Sequence, residues 1–250
     1  MQTSLPLPSN SFDGVFGVSL PGPGVQHPFK TMIESGDLDR NLFSLKLPPS
    51  VSEAGELLFG AWDDDLYTGE LINLPLTWPW EDLRNLTGWS VPFTGIRMGS
   101  KMAGLNYHIA VFETDFPYIA LPRGILIELN KYLGINASGM VDCKHRSKLP
   151  NLMVGLRYAE FPLTQMEYII DIGEGRCMSA FVEKQGDEKL VMLGSAFLRG
   201  FYAIFDADDK TVSCECPYTL ILGALFYKGN ADRAMSFGDY YFAKCFQYYL

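Results

Sequence analysis

No stretch of the chain reaches the roughly 18 to 20 consecutive apolar residues that a membrane-crossing helix requires. The opening MQTSLPLPSNSF lacks a charged start followed by an apolar core, so no signal peptide is visible either. Positive charge is scarce: 20 Lys and Arg stand against 29 Asp and Glu, for a formal charge of -9. Nucleic-acid affinity rests largely on Lys and Arg neutralising phosphates, so a nucleic-acid partner is not expected. The five cysteines, Cys143, Cys177, Cys214, Cys216 and Cys245, form no CxxC pair, and His27, His108 and His145 are scattered. That spacing excludes the usual zinc sites. No Gly-rich loop follows a strand in the phosphate-binding arrangement, and neither repeats nor low-complexity segments are evident. Neither a metal nor a cofactor is therefore expected.

Hydrophobic residues make up 48% of 250 residues, enough to bury a sizeable core in one large or two small domains. A 14% aromatic fraction, 24 Gly and 15 Pro, against 20% charged residues, suit short strands joined by tight turns better than a helical bundle. The fold class is therefore mainly β. Cys143 and Cys177 enclose a long loop, which leaves a disulfide and two buried thiols both open. Asn-x-Ser/Thr triplets at Asn85 and Asn136 are candidate glycosylation sites in a secreted chain, although such triplets also arise by chance.

Phe12 to Leu20, FDGVFGVSL, reads as a strand that stops at PGPG. Over residues 26–37, Phe29, Met32 and Ile33 fall at helical spacing, and Gly36 supplies a stop. From Asn41 the runs LFSLKL, ELLFG and GELINLPL alternate with turn residues, predicting a meander of antiparallel strands. WPWEDLRNLTGW, over residues 78–89, is expected as a surface loop, with an aromatic recognition patch as the alternative, and VPFTGIRM resumes the strand pattern. YHIAVFETDFPYIALP predicts a strand broken by a polar triplet, followed by a helix that Gly134 ends. NLMVGL, EYIIDI, CMSAFVE, KLVMLG and FYAIFD are further strands, while the aromatic-rich stretch from Pro217 onward fits no pattern.

Several of these segments, in order, resemble the pepsin-like aspartic peptidases. FDGVFGVSL resembles the segment that closes the family's amino-terminal lobe. LFSLKL followed by GELLFGAWDDDLYTGELINLPLT resembles the stretch that crosses into the carboxy-terminal lobe, and VMLGSAFLRGFYAIFD resembles the family's Leu-Gly-Asp ending. The likeness covers roughly residues 12–216. It implies a pepsin-like lobe of antiparallel strands with a few short helices, truncated at the amino-terminal side. Residues 1–85 would be a remnant of the amino-terminal lobe with the inter-lobe sheet, 86–216 the carboxy-terminal lobe, and 217–250 an unassigned tail. It further implies a disulfide between Cys143 and Cys177, a secreted or vacuolar location, and a peptide or protein as substrate or ligand.

Family members cleave peptide bonds with two Asp, one from an Asp-Thr-Gly turn in each lobe. The paired carboxylates share a proton, because like charges that close cannot both ionise. One activates water while the other protonates the substrate carbonyl. The second turn aligns with Glu113-Thr114-Asp115, and the first belongs before Phe12. Glu113 is longer than Asp by a methylene, and a misplacement on the order of 1 Å can cost about a hundredfold in rate. Asp115 puts a Cβ and a charge where the family has Gly. As the substitute carboxylate, in an extended segment, it would share Glu113's face at a displaced height. Ser195 replaces the Asp of the Leu-Gly-Asp segment; no His stands at a recognisable spacing, so it is expected to be structural. The implied protein is a weak or inactive aspartic endopeptidase. The alternative is a non-catalytic module that binds a peptide or protein, with a homodimer or a missing-lobe partner covering its exposed inter-lobe surface.

Overall fold

The computed structural model describes residues 16–21, 26–48, 53–77, 88–104, 108–136 and 138–216. Asn85, most of the Trp-rich run and the 217–250 tail lie outside them. The chain runs α1 (Pro28–Ser35), β1 (Leu42–Lys46), β2 (Glu56–Phe59), β3 (Glu70–Pro75), β4 (Ser90–Met98), β5 (Lys101–Ala103), β6 (His108–Phe112) and β7 (Ile119–Leu121). It continues with α2 (Arg123–Leu133), β8 (Met140–Asp142), β9 (Leu152–Leu156), β10 (Ala159–Leu163), α3 (Gln165–Tyr168), β11 (Ile169–Asp171) and β12 (Arg176–Ser179). The last elements are β13 (Phe181–Glu183), β14 (Leu190–Leu193), α4 (Ser195–Leu198), β15 (Tyr202–Asp206) and β16 (Thr211–Cys216). The architecture is mainly β with a few short helices.

Local chemistry explains the helices. His27 Nδ1 accepts from the Lys30 N–H at 3.2 Å, and Pro28 at the first position needs no donor partner. Gly36, at φ 72°, ends α1 in the left-handed conformation that glycine adopts without a Cβ penalty. In α2 the buried Ile125, Leu129 and Leu133 recur every four residues and form one apolar stripe, and Gly134 caps the helix.

The strands build three sheets. The first has the order β2-β1-β15-β16-β3. The expected meander of β1, β2 and β3 is corrected here: β1 and β2 do form a hairpin, but β15 and β16 separate β1 from β3. Turn residues fix where strands stop, whereas burial across the sheet chooses the partners. Phe43 of β1 stacks on Phe205 of β15 at 4.7 Å and meets Phe29 and Trp89 edge-on at 5.1 and 5.7 Å. Glu215, buried in β16, accepts from the Thr68 N–H at 3.0 Å and lies 3.6 Å from the Lys46 ammonium.

Trp89 corrects the expectation for the end of the Trp-rich run. It is buried at 3% exposure, and its indole N–H donates to the Val18 carbonyl at 2.8 Å. Residues 16–20 therefore run alongside without regular structure, not as the expected strand.

The second sheet has the order β10-β9-β4-β6-β14-β7-β13, with β5 on β4. It is mixed: β14 runs parallel to β6 and antiparallel to β7, and β13 runs parallel to β7. The third sheet, β11-β12-β8, carries a disulfide between Cys143 and Cys177. Closing a loop over a sequence separation of 34 contributes about 3–4 kcal/mol through the unfolded chain. One face of the first sheet shares a continuous core with the second sheet, while Leu42, Tyr202 and Ile204 form a smaller cluster on its other face.

Phe43 ties β1 to this core at 1% exposure. Phe43→Ala should lower unfolding free energy by about 3–5 kcal/mol in denaturant titration; a loss under about 1 kcal/mol would show that the β1–β15 packing is not what holds the first sheet.

Candidate functional site

The polar triplet stands at the end of β6, the strand that carries the buried run His108–Phe112. Glu113 leaves the sheet still hydrogen-bonded to it, its N–H donating to the Leu193 carbonyl at 3.0 Å. Thr114 and Asp115 then form a turn, which the Phe116 N–H closes on the Glu113 carbonyl at 3.3 Å. The extended geometry expected for Asp115 is thereby corrected: turn geometry takes this residue out of the alternating side-chain order of a strand. Among the described residues the non-glycine ones with positive φ are Arg157, Glu174 and Lys210, so the turn holds Asp115 without left-handed strain.

The return arm is clamped by the segment after β14. The Gly194 N–H donates to the Tyr118 carbonyl at 3.0 Å and the Ser195 N–H to the Phe116 carbonyl at 2.7 Å. A Cβ on Gly194 would stand 2.1 Å from the Phe116 oxygen and 2.3 Å from the Tyr118 oxygen. Glycine is required here for room, since its φ of -88° is open to any residue. Ser195 begins α4 and serves the turn through its backbone.

Glu113 is partly buried, whereas Thr114 and Asp115 are exposed. Burial pushes the Glu113 carboxyl from its ordinary 4.5 up to about 6, and the charge of Asp115 pushes the same way. Beside the turn, the Phe116 and Tyr118 rings meet edge to face at 5.9 Å. These two aromatics and Gly194 were missed in the sequence, although Phe and Tyr two residues apart after a polar triplet were the available signal. The arrangement offers one acid-form carboxyl at mildly acidic pH, a second carboxylate two residues away, and an aromatic wall.

The remaining predicted residues lie elsewhere. Cys143 and Cys177 belong to the third sheet, and Asp171 has a carboxylate oxygen near both sulfurs. Those sulfurs are consumed by their mutual bond, so this cluster is not a metal site. Asn136 is exposed beyond α2. His27 caps α1, His108 meets Phe93 edge-on at 6.1 Å, and His145 lies 3.8 Å from Asp142. Two open hollows of about 590 and 370 Å³ flank α2, lined by residues such as Met98, Met102, Glu128 and Tyr132. The smaller reaches His108, at the opposite end of β6 from Glu113. Among the described residues no helix is long and apolar enough to cross a membrane.

A family model for eukaryotic aspartyl proteases matches residues 2–215. The chain is 31% identical over 211 residues to a vacuolar protease A of Neurospora crassa, covering 80% of this chain and 51% of that protein. It is 31% identical over 216 residues to a vacuolar aspartic protease of Candida albicans, covering 80% and 49%. Gastricsin of Mus musculus is 30% identical over 216 residues, covering 80% and 53%. The chain thus spans about half the length of the curated relatives it matches.

Raising a carboxyl pKa on folding has a definite sign. Between about pH 4.5 and 6 the folded state keeps a proton that the unfolded chain has released, so this group's contribution to stability falls as pH rises through that window. The full effect is at most about 2 kcal/mol. Glu113→Gln should therefore be more stable than the parent at pH 7 by roughly 1–2 kcal/mol, with the difference fading by pH 4. Denaturant titrations across this range check it; a difference independent of pH would remove the burial of Glu113 as its cause.

Proposed function

Because the chain belongs to the eukaryotic aspartyl protease family, we propose that Glu113-Thr114-Asp115 is its version of that family's second catalytic turn, in an aspartic-type endopeptidase of weak or no activity. The observation that carries this reading is the clamped turn at the end of β6 with a half-buried carboxyl whose pKa is pushed to about 6. In a carboxylate dyad, a group with that pKa holds its proton at acid pH and acts as the donor to the substrate carbonyl. The water-activating partner would be a carboxylate of lower pKa on a second turn. The charge acting on Glu113 here is that of Asp115, which sits in the same turn and cannot face it across a substrate. Glu in place of Asp also moves the acid along by one methylene, which opposes productive geometry.

On this reading residues 1–85 are a remnant of the amino-terminal lobe with the β1, β2 and β3 share of the inter-lobe sheet, 86–216 are the carboxy-terminal lobe and add β15 and β16 to that sheet, and the substrate is a peptide or protein. A vacuolar or secreted setting agrees with the relatives' names and with the Cys143–Cys177 bond, which persists in oxidising compartments.

The second reading is a non-catalytic module that binds a peptide, a protein, a second copy of itself or a partner that supplies the facing lobe. It is favoured by exposed apolar side chains near the start of the first sheet: Leu57 on edge strand β2 is 43% exposed and Phe16, packed on Phe59, is 50% exposed.

Denatured casein, incubated with the purified folded chain between about pH 3 and 6 with and without pepstatin, separates the readings. The expected result is cleavage at or near background. Brisk pepstatin-sensitive cleavage that disappears in Glu113→Ala would overturn the weak-activity reading and make Glu113 a working member of an assembled dyad.

A further inference from the structure

Asn136 and Ser138, the first and third residues of an Asn-x-Ser triplet, lie beyond the Gly134 cap of α2. Asn136 is exposed, and two donors of Ser138 converge on its Oδ1: the backbone N–H at 3.0 Å and the hydroxyl at 2.5 Å. The Gly139 N–H donates to the Asn136 carbonyl at 3.0 Å and completes the turn. We propose that Asn136 is an N-glycosylation site, occupied when the chain passes through a secretory route.

Three independent features support this assignment. First, the residues have the Asn-x-Ser acceptor pattern, and the N–H and hydroxyl of Ser138 reach Oδ1 of an Asn136 side chain that stands exposed, in the local turn that such side chains form. Second, the surroundings are open. Asn136 and Ser138 are both exposed, and a Cβ built on the flanking Gly134 or Gly139 meets nothing within 4 Å. Third, β8 leads from this turn straight to Cys143, whose bond to Cys177 belongs to an oxidising compartment. Glycan transfer and disulfide formation would then mark the same route.

The donor class is an oligosaccharide linked to a lipid through pyrophosphate. Asn136 Nδ2 forms a bond to C1 of the first sugar and loses one hydrogen as a proton. The bond from C1 to the phosphate oxygen breaks, and the lipid pyrophosphate leaves. The glycan would add hydrophilic surface within four residues of Tyr132 and Met140, two large apolar side chains that are 37% and 39% exposed.

The test expresses the full chain behind a secretion leader in yeast and treats the folded protein with an N-glycosidase in heavy-oxygen water. The mass label should fall on Asn136, the endoglycosidase mobility shift assigned to that peptide should vanish in Asn136→Gln and Ser138→Ala, and Ser138→Thr should retain it. Ser138→Ala leaves Asn136 in place, and Ser138→Thr preserves the hydroxyl, so loss of folding is distinguished from loss of the acceptor. A folded, disulfide-bonded product whose Asn136 peptide carries no label would overturn the proposal. Because the route is imposed by the leader, this outcome is independent of whether Glu113 works in a peptidase.

Discussion

Strand β14 passes between β6 and β7, and the backbone just beyond it lies against the carbonyls of Phe116 and Tyr118. That contact depends on Gly194 having no Cβ, because any side chain there would occupy the space of both oxygens. Hydrogen bonds from Gly194 and Ser195 on one arm, and from Glu113 to Leu193 on the other, hold a six-residue excursion at fixed height above the sheet. The sheet below is buried on both faces along β6, so the excursion is supported by packing as well as by hydrogen bonds.

Position then governs chemistry. Glu113 sits where sheet gives way to turn, low enough to lose much of its water, while Thr114 and Asp115 stand exposed. Desolvation and the neighbouring negative charge both favour the protonated carboxyl, the condition an acid catalyst needs below neutrality. The same features restrict the site. Two carboxylates of one short turn cannot take opposite sides of a substrate, so the family's chemistry needs a second turn facing this one.

Legibility in the sequence followed the range of the interactions involved. Helix stops at Gly36 and Gly134 and the break of β6 at the polar triplet are local events, and each was readable from residue type and spacing. The partners of β1 were not, because its pairing with β15 is set by Phe43 and Phe205 meeting across more than half the chain. Trp89 looked like part of a surface aromatic run, yet its indole N–H is satisfied by the Val18 carbonyl inside the core. At the candidate site, the family pattern pointed to Glu113 and Asp115. The demand for glycine at position 194 depends on a close backbone approach between distant segments, which no local pattern encodes.

The fold desolvates the Glu113 carboxyl enough, with the Asp115 charge beside it, to keep its proton up to about pH 6. The direct measurement is a carbon-detected NMR titration of that side chain in the full chain, repeated in Asp115→Asn. The expected midpoint lies near 6, moves down when the Asp115 charge is removed and stays above the ordinary 4.5. A midpoint at the ordinary value in the folded protein would contradict it, because the turn would then leave Glu113 in water.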